Sequence, residues 1–245
     1  RGSVQAEDFE AGILTEMYQR LANAIRTVDK ENWIFYEPFV ITTNTGLPSS
    51  LGKIEGERLV YFPHMYSPEI HLKMPWDEKS NYLDIYMSQR VKEAIRQDAP
   101  LLIGEWGADM SVENYDRYVL DALTKFDQEM AGWAWWVYLR DTTWALLDDD
   151  YTERQAVNLL VRPYPQCIAG KPVEYSYNPE TAVFELVFHD KEGISGPTDI
   201  FIPEARVYPQ GWTVEVSDPV GTWSSKWDPD RQVLSVNTNS KQTEH

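Results

Sequence analysis

Basic side chains are scarce in this chain: 22 Lys and Arg face 39 Asp and Glu, a formal net charge of −17 over 245 residues. That balance repels nucleic-acid phosphates and gives an anionic lipid surface no basic patch to hold, so neither partner is expected. Cysteine is almost missing, and the single Cys167 excludes an intrachain disulfide and a cysteine-rich metal site. No apolar run approaches the roughly 20 residues of a membrane span. The opening residues do not read as a signal peptide, and no Gly-rich phosphate loop occurs. The acidic run Asp148-Asp149-Asp150 lacks the ligand spacing of a calcium loop and reads as a solvated turn, and the four His suggest no triad order. No metal and no cofactor is expected.

Aromatics, by contrast, are plentiful. The 10 Trp and 14 Tyr offer flat apolar faces with a polar edge, which suit sugar rings and lipid portals as well as ordinary cores. The 42% hydrophobic and 25% charged content is that of a folded globular chain, long enough for one large domain or two medium ones.

Hydrophobic periodicity places the elements. Between Asp8 and Val28, apolar residues fall at Ile13, Met17, Leu21, Ala24, Ile25 and Val28, the spacing of an amphipathic helix. WIFY, Trp33–Tyr36, reads as a buried strand closed by Glu37-Pro38, and a loop rich in Thr, Asn, Gly and Pro follows to about Gly56. LVYF, Leu59–Phe62, is the next strand and ends in PHMYSP, 63–68. A helix over 77–98, patterned by Leu83, Tyr86, Val91 and Ile95, precedes the apolar run Pro100–Ile103, and a second helix covers about 112–129. MAGWAWWVYL, 130–139, is a fourth strand, and a short helix is expected over 152–160. Strands alternating with helices predict a parallel sheet with helical crossovers. After the Pro- and Gly-rich RPYPQCIAGKP, Arg162–Pro172, short alternating stretches appear: VEYSY, AVFELVF, DIFIP, WTVEV and VLSVN. These predict a small antiparallel β-sandwich. The chain is read as an α/β domain over 1–165 and a β-sandwich over 166–245.

The first domain is organised around PLLIGEWG, Pro100–Gly107. A short apolar run bounded by breakers fits a strand buried on both faces, after which Gly104 frees the backbone for a carboxylate, Glu105. A charge at the end of a buried strand costs several kcal/mol unless it is paired or faces a cleft. In strand–helix barrels the C-terminal strand end is where chemistry sits. A salt-bridged strand end is the other reading, and the motif alone does not decide. The neighbouring strands add to it: they end in Glu37, in His64 and Tyr66, and in Trp135 and Trp136.

At these residues the chain resembles the retaining glycosidases of glycoside hydrolase family five, which are (β/α)8 TIM barrels. PHMY, GEWG and AWW match the ends of that family's last three strands in order. FYEPF, LVYFPHMY, LIGEWG and RPYPQCIAGKP are similar to its endoglycoceramidase branch, as is a C-terminal sandwich. The resemblance implies that Glu105 is the catalytic nucleophile and that the Tyr66 hydroxyl bonds its carboxylate. It implies that His64 holds the sugar or the acid/base partner, and that Trp136 is a platform under the sugar beside the scissile bond. It further implies secretion, and hydrolysis of the β-glycosidic bond between oligosaccharide and ceramide in glycosphingolipids. Trp135, next to Trp136 along the strand, is expected on the opposite face, in the core. The loops Ile41–Gly52 and Pro68–Trp76 carry Leu47, Leu51, Ile70, Leu72, Met74 and Trp76, which either line an apolar groove or pack the loops down.

The sequence departs from the family at one point. A retaining glycosidase needs two carboxylates roughly 5–5.5 Å apart, and in this family the second follows Asn in an Asn-Glu-Pro triplet on the fourth strand. No such triplet occurs here. The nearest string, Tyr36-Glu37-Pro38, falls on the fifth strand by count and lacks the Asn, which makes Glu37 the lesser candidate for the acid/base. A closed barrel takes about 250 residues, and four strands alone leave open edges. RGSVQAEDFE opens the chain without Met, so the expectation is the C-terminal half of a barrel. Its partner would be the N-terminal half of the same enzyme, carrying the acid/base. The Lys241–His245 end also reads as clipped before a last sandwich strand. Two other functions stay open: a cellulase or β-glucosidase acting on non-lipid β-glycosides, and a non-catalytic carbohydrate-binding module. In the latter, Trp212, Trp223 or Trp227 of the sandwich could hold glycans.

Overall fold

A computed structural model describes residues 2–140, 142–189, 191–238 and 245. It divides into two compact units, Arg1–Arg154 and Gln155–His245, so the boundary falls ahead of residue 165.

In the first unit α1, Gly2–Phe9, runs through a π-helical turn at Glu10–Leu14 into α2, Thr15–Val28. Then come β1 (Ile34–Tyr36), α3 (Val40–Asn44), β2 (Leu59–Tyr61), α4 (Pro68–His71), α5 (Tyr82–Gln97), β3 (Leu102–Trp106), α6 (Tyr115–Gln128) and β4 (Gly132–Trp135). The strands lie in sequence order and run parallel: β1 pairs with β2, Tyr36 opposite Tyr61, and β3 with β4, Leu102 opposite Gly132. Parallel bridges from Tyr61 to Leu101 and from Met65 to Trp106 carry the ladder from β2 to β3. These are four strands of a strand–helix barrel, as the alternation predicts. The last is shorter than the expected 130–139. Beyond Trp136 the amides of Val137, Leu146 and Leu147 bond to the carbonyls of Trp144, Val137 and Leu139, so the chain pairs with its own loop instead of the sheet.

The loop after β1 is held by buried polar side chains more than by regular structure. Gln97 donates to the Leu51 and Gly52 carbonyls at 3.2 and 3.0 Å and accepts from the Ile54 amide and the Tyr36 hydroxyl, both at 3.0 Å. One turn back, Glu93 accepts from the Ser49 amide and the Tyr61 hydroxyl, both at 2.6 Å, and faces Arg90 Nε at 2.8 Å. Glu10, in the π-helical turn, accepts from the Phe39 and Ser50 amides, each at 2.8 Å. Loop amides cut off from water need such acceptors, because an unmet buried donor costs about 1–3 kcal/mol. Leu51 and Ile54 then join Leu14, Ala22, Tyr36, Leu59, Tyr61 and Ala94 in one apolar cluster.

Along the π-helical turn and α2 the inward side is Leu14, the partly buried Tyr18 and Ala22. The apolar stripe that revealed the helix, Ile13, Met17, Leu21, Ile25 and Val28, is 38–87% exposed. Periodicity located this helix, but the described residues include nothing that covers its most apolar face.

The second unit holds α7 (Ala156–Leu160), β5 (Tyr164–Cys167), β6 (Lys171–Asn178), β7 (Val183–His189), β8 (Thr198–Phe201), α8 (Glu204–Val207), β9 (Trp223–Asp228) and β10 (Val233–Thr238). An antiparallel sheet of order β5-β8-β10-β9 and a β6-β7 hairpin make a small sandwich around Ile200, Ile202, Leu234 and Val236, with Phe184 and Leu186 packed against them. The Pro-rich connector is thus partly a strand. β5 lies at a sheet edge and shifts register between Pro165 and Cys167, the place where a residue without an amide proton is tolerated. WTVEV forms no strand; its Trp212 and Val214 pack on the core from an irregular segment. β9 escaped the alternation pattern because its Ser-Ser-Lys centre is polar, as befits the other edge. The Trp212 and Trp227 rings meet at 5.1 Å within the core, which makes them packing groups. Residues 241–244, where the clipped end was expected, lie outside the described residues; His245 pairs its backbone with Phe188. Among the described residues no helix is long and apolar enough to cross a membrane.

Glu93→Gln removes the charge opposite buried Arg90 and is expected to destabilise the first unit by about 3–5 kcal/mol, read by urea titration with hydrogen exchange at the Ser49–Ile54 amides. A loss under about 1 kcal/mol, the scale of a surface pair, would mean that this ion pair does not anchor the loop.

Candidate active site

β3 carries Glu105 one residue from its C-terminal end. The segment after β2 runs parallel beside it: the Gly104 amide bonds to the Pro63 carbonyl at 2.9 Å, and the Met65 amide to the Glu105 carbonyl at 2.7 Å. Gly104 makes this approach possible. A Cβ there would stand 2.5 Å from the Phe62 ring and 2.8 Å from His64 Cδ2. Alternation along the segment then buries Met65 completely and turns His64 and Tyr66 to the other side, where Glu105 lies.

The Tyr66 hydroxyl donates to Glu105 Oε2 at 2.8 Å. His64 Nδ1 lies 3.5 Å from the same oxygen and 3.4 Å from Glu37 Oε2. Among the described residues no donor reaches Glu105 Oε1, so both partners converge on one oxygen and leave the other open. The side chains of Glu105 and Glu37 are about one-third exposed, at 31% and 37%, and that of His64 19%, so water reaches this cluster while the backbone beneath is buried. Burial pushes the Tyr66 hydroxyl well above the ordinary tyrosine range, and its bond to the Glu105 carboxylate adds to the shift. It is therefore a neutral donor wherever the protein is folded. Burial also raises the Glu37 carboxyl; the Glu105 charge adds to this and His64 opposes it.

The surroundings fix these groups. The Tyr86 hydroxyl donates to the His64 carbonyl at 2.8 Å, and the Phe62 ring meets the imidazole edge-on at 5.7 Å. Trp144 packs edge-on against Tyr66 at 5.7 Å. Asp109 ties three loops together. Burial pushes its carboxyl up, but hydrogen bonds from Ser111, Thr143 and Lys73 outweigh that and hold it below the usual range.

Trp136 stands at the adjoining strand end, 46% exposed. Its amide donates to the Trp106 carbonyl at 2.8 Å, its peptide bond to Val137 is cis, and its carbonyl occupies space 2.5 Å from where a Gly107 Cβ would be. Trp135 packs edge-on against buried Trp106 at 5.0 Å, on the core side as alternation requires. The four residues named from the sequence thus lie along three neighbouring chain segments, and His64, Tyr66 and Glu105 meet. Leu51, Ile70 and Trp76 are buried and pack their loops down, whereas Leu47, Leu72 and Met74 are at least half exposed. Sequence reasoning missed Trp144 and Tyr86, which carry no motif. It weighed Glu37 as an acid/base and overlooked it as a partner of His64, although Glu-Pro at a strand end was visible. Among the described residues no group of three or more His, Cys, Asp or Glu is arranged to hold a metal ion.

The family model described as cellulase (glycosyl hydrolase family 5) matches residues 4–139, and that of the glycoside hydrolase family 5 C-terminal domain matches residues 162–245. Endoglycoceramidase I of Rhodococcus hoagii (strain 103S) is 27% identical over 213 residues, covering 81% of this chain and 40% of the relative. Endo-glycoceramidase II from Rhodococcus sp. in complex with ganglioside GM3 is 27% identical with a TM-score of 0.83, covering 97% of this chain and 54% of that one. A lactosyl-enzyme intermediate of the same protein is 29% identical with a TM-score of 0.80 over 97% of this chain and 53% of that one. The chain spans about half the length of these solved structures and less of the curated relative.

Gly104→Ala is expected to displace the Phe62 and His64 rings at a cost of about 1–3 kcal/mol, with the His64 ring resonances moving by NMR. Unmoved resonances would show that the glycine does not shape this site.

Proposed function

The chain belongs to glycoside hydrolase family 5, and on that footing we propose that it supplies the nucleophile half of a retaining endo-glycosidase that cuts glycosphingolipids between oligosaccharide and ceramide. One observation carries the reading: Tyr66 and His64 converge on Oε2 of Glu105 while Oε1 stays open. A carboxylate so held is oriented, and its free oxygen can attack an anomeric carbon. The ceramide oxygen leaves with a proton from an acid/base carboxylate, and a glycosyl ester forms on Oε1. Water, activated by the same acid/base, then releases the sugar. Tyr66 holds Oε2 throughout, and Trp136 offers its exposed face to the sugar ring.

The acid/base is assigned to an N-terminal half of the barrel. Four parallel strands with an exposed apolar stripe on α2, and with Trp33 and Phe35 about half exposed, make a surface like a core cut in two. The partial span of the relatives supports the same reading. The lipid substrate is supported by the names of those relatives and by exposed Leu47, Leu72 and Met74 on the loops following β1 and β2.

In the complete enzyme a 2-fluoro lactoside should label Glu105, and Tyr66→Phe should lower kcat by about a hundredfold. Lactosylceramide or ganglioside should be hydrolysed in preference to cellooligosaccharide, and the 245-residue chain alone should show no turnover. Turnover by this chain alone, abolished by Glu105→Gln, would overturn the half-barrel reading and move the acid/base role to Glu37. Preference for cellooligosaccharide would replace the lipid substrate with a polysaccharide.

A further inference from the structure

Glu37 has no part in that scheme, yet its carboxylate completes the cluster. Its Oε2 lies 3.4 Å from His64 Nδ1, on which Glu105 Oε2 also bears at 3.5 Å. A single Nδ1–H can donate well to only one of two carboxylates at a time. All three groups are pinned. Glu37 is followed by Pro38, and beyond it the Phe39 amide donates to buried Glu10 at 2.8 Å. Tyr86 and Phe62 hold His64, and Tyr66 holds Glu105. Keeping a second, partly desolvated carboxylate beside a first is costly through desolvation and like-charge repulsion. Orienting His64 toward Glu105 alone would not require it.

We propose that Glu37 is the alternate acceptor of the His64 Nδ1 proton, engaged while Glu105 is esterified. The inference rests on Glu105 being the nucleophile. In the free enzyme Glu105 is a carboxylate, and the Nδ1–H is shared between it and Glu37. When Oε1 has bonded to the anomeric carbon, Oε2 becomes an ester carbonyl and a much weaker acceptor than a carboxylate. The Nδ1–H then turns to Glu37, and the proton stays on Nδ1. As water attacks the sugar and the ester bond breaks, charge returns to Glu105 and the donor turns back to Oε2. No proton is gained or lost at His64 in either half-reaction. Glu37 is therefore a positioning residue, acting through His64. The other titratable groups that face it are Tyr18, Tyr66 and Tyr86, all raised by burial and so neutral, which leaves the His64 imidazole and the Glu105 carboxylate as its remaining partners.

The test uses the complete enzyme and an aryl lactoside whose good leaving group makes deglycosylation limiting. Gln at this position offers the Nδ1–H only a neutral amide oxygen, a weaker acceptor than a carboxylate, while Glu105 remains available to it in the free enzyme. Glu37→Gln should then lower kcat about tenfold and KM with it, leave kcat/KM within about twofold, and let the glycosyl-enzyme accumulate. Parallel loss of kcat and kcat/KM, or no change in either, would overturn the proposal. If the 2-fluoro lactoside fails to label Glu105, the functional reading has failed. If it labels Glu105 but the split is missing, this inference alone has failed. The 245-residue chain gives a second readout free of activity. Removing the neighbouring charge by Glu105→Gln should lower the titration midpoint of the Glu37 carboxyl, followed by its ¹³C shift. An unmoved midpoint would show that the two carboxylates do not sense each other and would equally overturn the proposal.

Discussion

A phenol and a carboxylate 2.8 Å apart, Tyr66 and Glu105, come from segments nearly forty positions apart in the chain. Holding them there requires the PHMY segment to run in register beside β3. That register depends on two backbone bonds, Gly104 to Pro63 and Met65 to Glu105, and on a glycine where any Cβ would strike Phe62 and His64. A slip of one residue would turn Met65 toward Glu105 and bury His64 and Tyr66. The chemistry of the cluster is thus set by strand pairing before any side-chain interaction is counted.

Much of what stabilises the surrounding loops comes from one helix. Along α5, Tyr82 bonds the Asn44 carbonyl, Tyr86 the His64 carbonyl and Arg90 the Leu47 carbonyl, while Glu93 takes the Ser49 amide and Gln97 the Ile54 amide. Spacings of three and four put these five polar residues on a single helical face. That face works as a row of fixed donors and acceptors for backbone that has no regular structure of its own. The arrangement gives the loops after β1 and β2 a defined shape, and it is why His64 is anchored at its backbone as well as at its ring. These side chains are tolerated in the interior because each makes a hydrogen bond or an ion pair, with Arg90 Nη1 the polar atom among them left without one.

The sequence reading took α5 from its apolar residues, Leu83, Tyr86, Val91 and Ile95. The helix is there, but Ile95 is 74% exposed while Arg90, Glu93 and Gln97 are buried. Hydrophobic periodicity assumes that the interior is apolar, and here a polar face is buried because it serves loop backbone. The same assumption failed in the opposite sense on α2, whose apolar stripe lies open. In the sandwich, β5 and β9 went unseen because edge strands carry Pro, Ser and Lys that a central strand would reject.

By itself the sequence determined the order and kind of the strands and long helices in the first unit, though not the short α3 and α4, the presence of a second, mainly β unit, and the three motifs that carry Tyr66, Glu105 and Trp136. Those are local properties: short apolar runs, breakers and residue order survive without knowledge of what lies across the fold. Only the tertiary structure decided that Tyr66 and His64 share one oxygen of Glu105, that Glu37 shares the same imidazole, and that Trp144 backs the phenol. Such distances depend on register between non-adjacent segments and on the loop shapes that α5 imposes, and no spacing along the chain encodes them.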